Sequence, residues 1–231
     1  MNKPVLVFDM NETLLDMSAL DPTFARLFAQ PDGSELRKKW FTLVLELFLT
    51  TTITGEYRSF DKLTDEALQM LATQQRRKAS ADDRAALRDA QGKMPAHPDV
   101  LPALARLQDA GFTLATLTNS TANSAEKLLE FAGLRAYFDM VLSADAVSTY
   151  KPAREAYAYA AKALAVKPAQ IVLVAAHAWD IVGATAAGCA AAFIARPEKV
   201  LSPGAPAPKY QADDSTSLAE QIAADHSWPE P

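Results

Sequence analysis

Apolar residues run unbroken through Val5, Leu6, Val7 and Phe8 and stop at Asp9. A short continuous apolar run suits a strand buried on both faces, as in the middle of a parallel sheet. A strand is therefore predicted over Pro4–Met10. From about Ser18 to Ala90 the period changes. Phe24, Leu27 and Phe28, then Trp40, Leu43, Val44 and Leu47, then Leu63, Ala67, Leu68 and Leu71 recur at helical spacing. That pattern predicts an all-helical block. The Thr-rich run Leu49–Ile53 is β-prone and finds no place in it. After Pro95 the pattern alternates. Helices are predicted over Val100–Ala110, Ala122–Ala132, Arg154–Leu164 and Ile181–Gly188, and strands over Phe112–Leu117, Phe138–Leu142, Ile171–Ala175 and Ala191–Ala195. Ser202–Pro208 reads as a Pro-rich loop, Ser217 with Glu220 as a capping box opening a last helix, and Ser227–Pro231 as a frayed end.

Strand and helix alternating at this spacing imply right-handed βαβ units, hence an α/β fold with a parallel sheet covered on both faces. The helical block falls between the first strand and the second. It divides the chain into an α/β core of residues 1–15 and 95–231 and a helical cap of residues 16–94. In such sheets the ligand site lies at the carboxyl ends of the strands.

The chain has 231 residues, 49% hydrophobic and 22% charged, with a formal net charge of −5. That composition fits a soluble globular protein, and the acidic balance argues against a nucleic-acid partner. The single cysteine, Cys189, excludes an internal disulfide and a Cys-based zinc site. No apolar stretch reaches the ~20 residues a membrane helix needs, and Val5–Phe8 is too short for a signal-peptide core. The expectation is a cytoplasmic protein with no membrane partner.

Four places at strand ends carry candidate chemistry: Asp9-Met10-Asn11-Glu12-Thr13, Thr118-Asn119-Ser120, Lys151-Pro152, and His177-Ala178-Trp179-Asp180. Asp9 suits a carboxylate nucleophile that splits one hard step into two through a covalent ester. Thr118 and Asn119 suit donors to an oxyanion or a carboxylate. Lys151 would hold Asp9 ionised. His177 and Asp180 suit groups that orient or activate water. Each has a plainer reading alone: Asp9-x-x-Glu12 is also a capping pattern, and Thr118-Asn119-Ser120 is also a turn signal. The functional reading rests on four loops placing polar groups along one sheet edge.

These motifs, in this order, resemble the haloacid dehalogenase superfamily, and within it the type II (L-2-haloacid) dehalogenases. The resemblance implies a Rossmann-like core with a helical cap, and halide displaced from a small 2-haloalkanoic acid by Asp9. It carries over Thr13, Thr118, Asn119, Lys151, Tyr157 and Asp180 as site residues, and Leu45, Phe60 and Trp179 as apolar pocket residues. It implies no cofactor. Phosphatases of the superfamily carry a second Asp two residues after the nucleophile, where Asn11 stands here, and hold Mg²⁺ with an acidic pair that Asp180 lacks. A Mg²⁺ phosphatase using Asp9 and Asp180 is the alternative, and a binder that has lost turnover is a third reading. The sequence also departs from the dehalogenases. Phe41 follows Trp40 where they carry an arginine facing halide and substrate, Ala175 replaces a serine, and His177 replaces an asparagine. Lys38, Lys39 and Arg58 are candidate substitutes for the arginine, and His177 for a halide-binding or water-orienting role. The cap suits a lid over the site and equally a face for a two-fold dimer.

Overall fold

In the computed structural model, which describes residues 3–225, six strands form one parallel sheet. They are β1 (Val5–Phe8), β2 (Leu114–Thr118), β3 (Met140–Ser143), β4 (Ile171–Ala175), β5 (Ala190–Ile194) and β6 (Tyr210–Ala212), in the order β3-β2-β1-β4-β5-β6. The chain steps outward from β1 through β2 and β3, then crosses back to β4 and outward again. The strand order thus reverses between β1 and β4, where Phe8 pairs with Val174. A crevice opens at the carboxyl ends at such a reversal. Successive side chains of β1 take opposite faces: Leu6 and Phe8 pack with Val172 and Val174, while Val5 and Val7 pack with Leu173 and Ala175.

Four α-helices follow β1 before the chain reaches Pro95: α1 (Asp21–Phe28), α2 (Ser34–Thr54), α3 (Phe60–Gln74) and α4 (Ala81–Gln91). They are followed by α5 (Val100–Asp109), α6 (Ala122–Phe131), α7 (Arg154–Ala163), α8 (Ala178–Ala186) and α9 (Ser215–Ala224). Helices α5, α6 and α9 cover the face of Leu6 and Phe8; α7 and α8 cover the other. The inserted helices join the first cluster through Phe24, Trp40, Phe48 and Leu63. Where the chain leaves for this excursion and returns, its two arms are tied together. Asp16 N–H donates to the Pro95 carbonyl (2.8 Å), His97 N–H to the Leu14 carbonyl (2.9 Å), and Leu15 bridges Ala96.

Several expectations are corrected here. The run Leu49–Ile53 lies inside α2. The Thr51 and Thr52 hydroxyls donate back to the Phe48 carbonyl, and Phe48 packs on Tyr150 and Trp179, so tertiary packing overrides β propensity. Helix α8 starts at Ala178 rather than Ile181, which puts Trp179 and Asp180 in its first turn. The last helix opens on Asp214, whose carboxylate accepts from Ser217 N–H (2.7 Å) and Ser217 Oγ (3.0 Å). Ser217 is therefore a donor to the cap and not the cap. The edge strand β6, three residues long, has no counterpart in the sequence reading. The expectation for Ser227–Pro231 lies outside the described residues.

Candidate active site

Asp9 sits one residue past β1, pinned to β4 by its N–H on the Val174 carbonyl (2.9 Å). The residue is 5% exposed, and its carboxylate's partners are side chains rather than the backbone N–H groups a capping role would use. Thr13 Oγ1 donates to Oδ2 (2.8 Å) and accepts from Ala176 N–H (3.0 Å). Lys151 Nζ donates to Oδ1 (2.9 Å) and to Asp180 Oδ2 (2.6 Å). Tyr157 Oη donates to Asp180 Oδ1 (2.6 Å). One ammonium thus bridges two carboxylates, and all three groups are withdrawn from solvent.

The loops that deliver these groups hold each other. Asn119 Nδ2 donates to the Lys151 carbonyl (3.2 Å), and Asn119 Oδ1 accepts from Lys151 N–H (2.8 Å). Thr118 Oγ1 accepts from Ser120 N–H (3.1 Å). Gly183 lets α8 lie against this assembly: a Cβ there would meet Tyr157 Oη at 2.5 Å and Pro152 Cβ at 2.6 Å.

His177 is the other neighbour of Asp9. Its Nδ1 lies 3.2 Å from Asp9 Oδ2 and its Nε2 2.9 Å from Glu12 Oε2. The ring stacks on Trp179 (centroids 5.0 Å apart, planes at 24°) and meets Phe41 at 6.0 Å. Glu12 in turn is paired with Lys199 and with Arg37 (3.8 Å). Behind the loop, Arg196 donates to the Thr13 carbonyl (2.9 Å from Nη2), to both oxygens of Asp99 (2.8 Å each) and to Ser215 Oγ (2.9 Å).

Burial alone would raise the Asp9 carboxyl, but Lys151 and His177 outweigh it and hold it well below the usual carboxylate range. Burial would discharge Lys151, yet Asp180 and Asp9 keep its ammonium, raised above its ordinary value. Asp180 is pushed up by burial and by the Asp9 charge, against the pull of Lys151. His177 is raised because its bonds to Asp9 and Glu12 outweigh burial, which favours its charged form. Glu12 is lowered to about 2; burial opposes this, and His177 and then Lys199 overcome it.

Asp9, Thr13, Lys151, Tyr157, His177, Trp179, Asp180 and, through His177, Phe41 therefore share one centre. Leu45 stands with Phe41 at a cleft of about 720 Å³ that also holds Glu12, Arg37 and Lys199. Phe60 and Asn11 line a separate cleft of about 230 Å³ with Ser120. The expected apolar pocket is thus divided. Lys38 pairs with Glu198 and Arg58 with Glu66; the guanidinium of the inserted helices that reaches the Asp9–Thr13 loop is Arg37, 3.8 Å from Glu12 and one turn before Phe41. Glu12, Arg37, Arg196 and Lys199 were missed by sequence reasoning. Glu12 carried a signal, its acid charge three residues past Asp9, but that spacing equally marks a cap.

The donor set does not fit Mg²⁺. Both oxygens of Asp9 and both of Asp180 already face an ammonium, an imidazole or a hydroxyl. Among the described residues no cluster of three or more His, Cys, Asp or Glu is placed to hold a metal ion, and no helix is long and apolar enough to cross a membrane.

A parallel sheet with a buried acid–lysine centre at the reversal of its strand order, beneath inserted helices, defines a Rossmann-like hydrolase. Residues 4–188 match the haloacid dehalogenase-like hydrolases, and the chain belongs to that family. It is 34% identical over 185 residues to (S)-2-haloacid dehalogenase 1 of Pseudomonas sp. (strain CBS-3), covering 79% of this chain and 80% of that one. It is 33% identical over 183 residues to (S)-2-haloacid dehalogenase 4A of Burkholderia cepacia, covering 77% of each. The solved L-2-haloacid dehalogenase of Xanthobacter autotrophicus superposes with a TM-score of 0.90 at 25% identity, over 96% of this chain and 99% of that one.

Proposed function

We propose that this hydrolase displaces halide from small 2-haloalkanoic acids through an aspartyl ester on Asp9. The observation that carries the reading is the ionised, desolvated Asp9 carboxylate held between Lys151 (2.9 Å) and Thr13 (2.8 Å) at the end of β1. The (S)-2-haloacid dehalogenases it resembles supply the substrate class. Asp9 attacks the carbon bearing the halogen from the side opposite the leaving group. Halide departs as a stable anion and needs no proton, which suits Asn11 in place of an acid. Water then attacks the carboxyl carbon of the ester and regenerates Asp9. Lys151 keeps the nucleophile charged, Asp180 and Tyr157 anchor Lys151, and Asn119 fixes the loop that carries it. Phe41, Leu45 and Trp179 supply apolar surface near the centre. We assign residues 16–94 the role of a lid and place the protein in a reducing, cytoplasmic setting, which suits its buried free thiol Cys189.

The test is halide release from chloroacetate and from each enantiomer of 2-chloropropionate, with a chelator present. Release from chloroacetate and the (S)-enantiomer is expected, with oxygen from labelled water entering Asp9 in a single turnover. Absence of release from all three, or label confined to the product, overturns the reading.

A further inference from the structure

Water must be activated once Asp9 is esterified, and the obvious second acid is not free to do it. Both oxygens of Asp180 are committed, one to Lys151 (2.6 Å) and one to Tyr157 (2.6 Å). His177 is placed differently. One ring nitrogen faces the carboxyl group that becomes the ester, at 3.2 Å, and the other is held by Glu12 at 2.9 Å. Trp179 and Phe41 fix the ring plane. Glu12 is itself fixed by Lys199 and Arg37. Its backbone sits in the left-handed region, at φ 59°, which L residues adopt only at a steric cost. A glutamate held there, with its carboxylate on a buried histidine, is a base-and-orienter pair of the kind that activates nucleophiles.

We propose that His177 is the base that brings water onto the Asp9 ester, and that Glu12 is the positioning residue that orients it. The inference rests on the ester reading above and adds the identity of the second-step machinery. In the resting site His177 donates from both nitrogens, to Asp9 and to Glu12. When Asp9 forms its C–O bond and the carbon–halogen bond breaks, halide leaves with the electron pair. The carboxyl group becomes a neutral ester, and Nδ1–H loses its anionic acceptor. That proton passes to solvent. The neutral ring keeps Nε2–H on Glu12 and turns the Nδ1 lone pair towards the ester. Water adds to the carboxyl carbon as Nδ1 takes one of its protons. Collapse breaks the carbon–oxygen bond to the substrate, whose oxygen takes that proton and leaves as an alcohol. The new carboxylic acid gives its proton to Nδ1, which restores the resting pair. One haloacid and one water yield one hydroxyacid, one halide and one proton. The charges around the ring are Asp9 and Glu12 in contact, Lys151 behind Asp9, Trp179 and Phe41 as uncharged walls, and Lys199 and Arg37 behind Glu12. The loss of the Asp9 charge is therefore what releases the proton.

The experiment follows halide, proton and ester together in the full chain, using rapid mixing with (S)-2-chloropropionate, a pH indicator and mass spectrometry of the Asp9 peptide. In the wild type the proton is expected with the first halide, before the ester hydrolyses. In His177→Gln, halide is still released once per chain, the ester accumulates, its hydrolysis slows about 100-fold or more, and the proton appears only with hydrolysis. In Glu12→Gln, hydrolysis slows roughly 10- to 100-fold. Its rise with pH also moves to lower pH, because the ring has lost the anion that favours its charged form. A packing role would not move that limb. A wild-type proton that waits for ester hydrolysis overturns the inference even if neither variant folds. So does a Glu12→Gln ester that hydrolyses at the wild-type rate with an unmoved pH limb. Absence of halide and ester in the wild type overturns instead the dehalogenase reading beneath it.

Discussion

Lys151→Met removes the one cation shared by two buried carboxylates and keeps a side chain of similar length. In the native site its Nζ lies 2.9 Å from Asp9 and 2.6 Å from Asp180, and it is 0% exposed. His177 still offsets Asp9 in the variant. Asp180 keeps only the hydroxyl of Tyr157 and must take a proton or stay as an uncompensated charge. Removing one partner of a buried pair costs about 3–5 kcal/mol. At about 2–4 °C per kcal/mol for a chain of this size, Tm falls by roughly 10 °C near neutral pH. The pH dependence carries the sharper information. The wild-type Asp9 carboxyl is depressed, so its contribution is present above the unfolded value of about 3.9 and is lost as pH falls through the folded one. In the variant, burial and the Asp9 charge raise Asp180 with no ammonium to oppose them. Its penalty is small at or below the unfolded value and grows as pH rises through the folded one. The gap between variant and wild type therefore widens from pH 4.5 to 7.5. Thermal or urea unfolding followed by circular dichroism at both pH values measures it. A gap of equal size at the two, or none at pH 7.5, would refute the assignment of Lys151 as the shared counter-charge.

Gly183→Ala places a methyl 2.5 Å from Tyr157 Oη and 2.9 Å from Pro152 Cα. Overpacking of this kind costs about 1–3 kcal/mol, and Tyr157 is pushed off Asp180. Thermal unfolding and kcat should both fall, and an unchanged kcat would show that Asp180 does not need that hydroxyl. Arg196→Ala leaves Asp99 and the Thr13 carbonyl without their guanidinium partner, at about 1–3 kcal/mol or more for the charged group. Arg196 holds the Asp99 carboxyl below its usual range, against burial, so this loss should hold down to the unfolded value of about 3.9 and shrink in urea titrations as pH falls below it. Turnover should fall as well, because the Thr13 hydroxyl that orients Asp9 is loosened. A variant with wild-type kcat would confine Arg196 to stability.

The sheet was readable because burial on both faces leaves a plain trace, an apolar run that ends where the chemistry begins, as at Phe8 and Asp9. The helical block was readable by its period except at Leu49–Ile53, where long-range contacts of Phe48 with Tyr150 and Trp179 decide the local structure. Edge strand β6 escaped because three residues, buried at Tyr210 and Ala212 only, are too short a run for a period to stand out. In the site, the positions of Asp9, Lys151, His177 and Asp180 were readable as polar groups that follow strands. What each touches was not. Asn119 has the donors and acceptors of a substrate clamp, yet it spends both on the backbone of Lys151. Phe60 and Phe41 look alike in sequence and line different clefts. Glu12 acquires its meaning only from a histidine 165 residues away, a relation that no local window contains.

The paired arms at Leu14–Asp16 and Pro95–His97 have a consequence for how such a protein can diversify. The ends of a long excursion are neighbours joined by two hydrogen bonds, so the continuity of the sheet does not depend on what is strung between them. The excursion behaves as a cassette with a fixed pair of sockets. A graft between Asp16 and Pro95 inherits Asp9, Lys151 and His177 intact. It has only to bring an apolar underside that meets Tyr150 and Trp179 as Phe48 does, and a residue that lies against His177 as Phe41 does. The polar groups at the strand ends and the apolar walls set against them can thus change at separate rates within one chain.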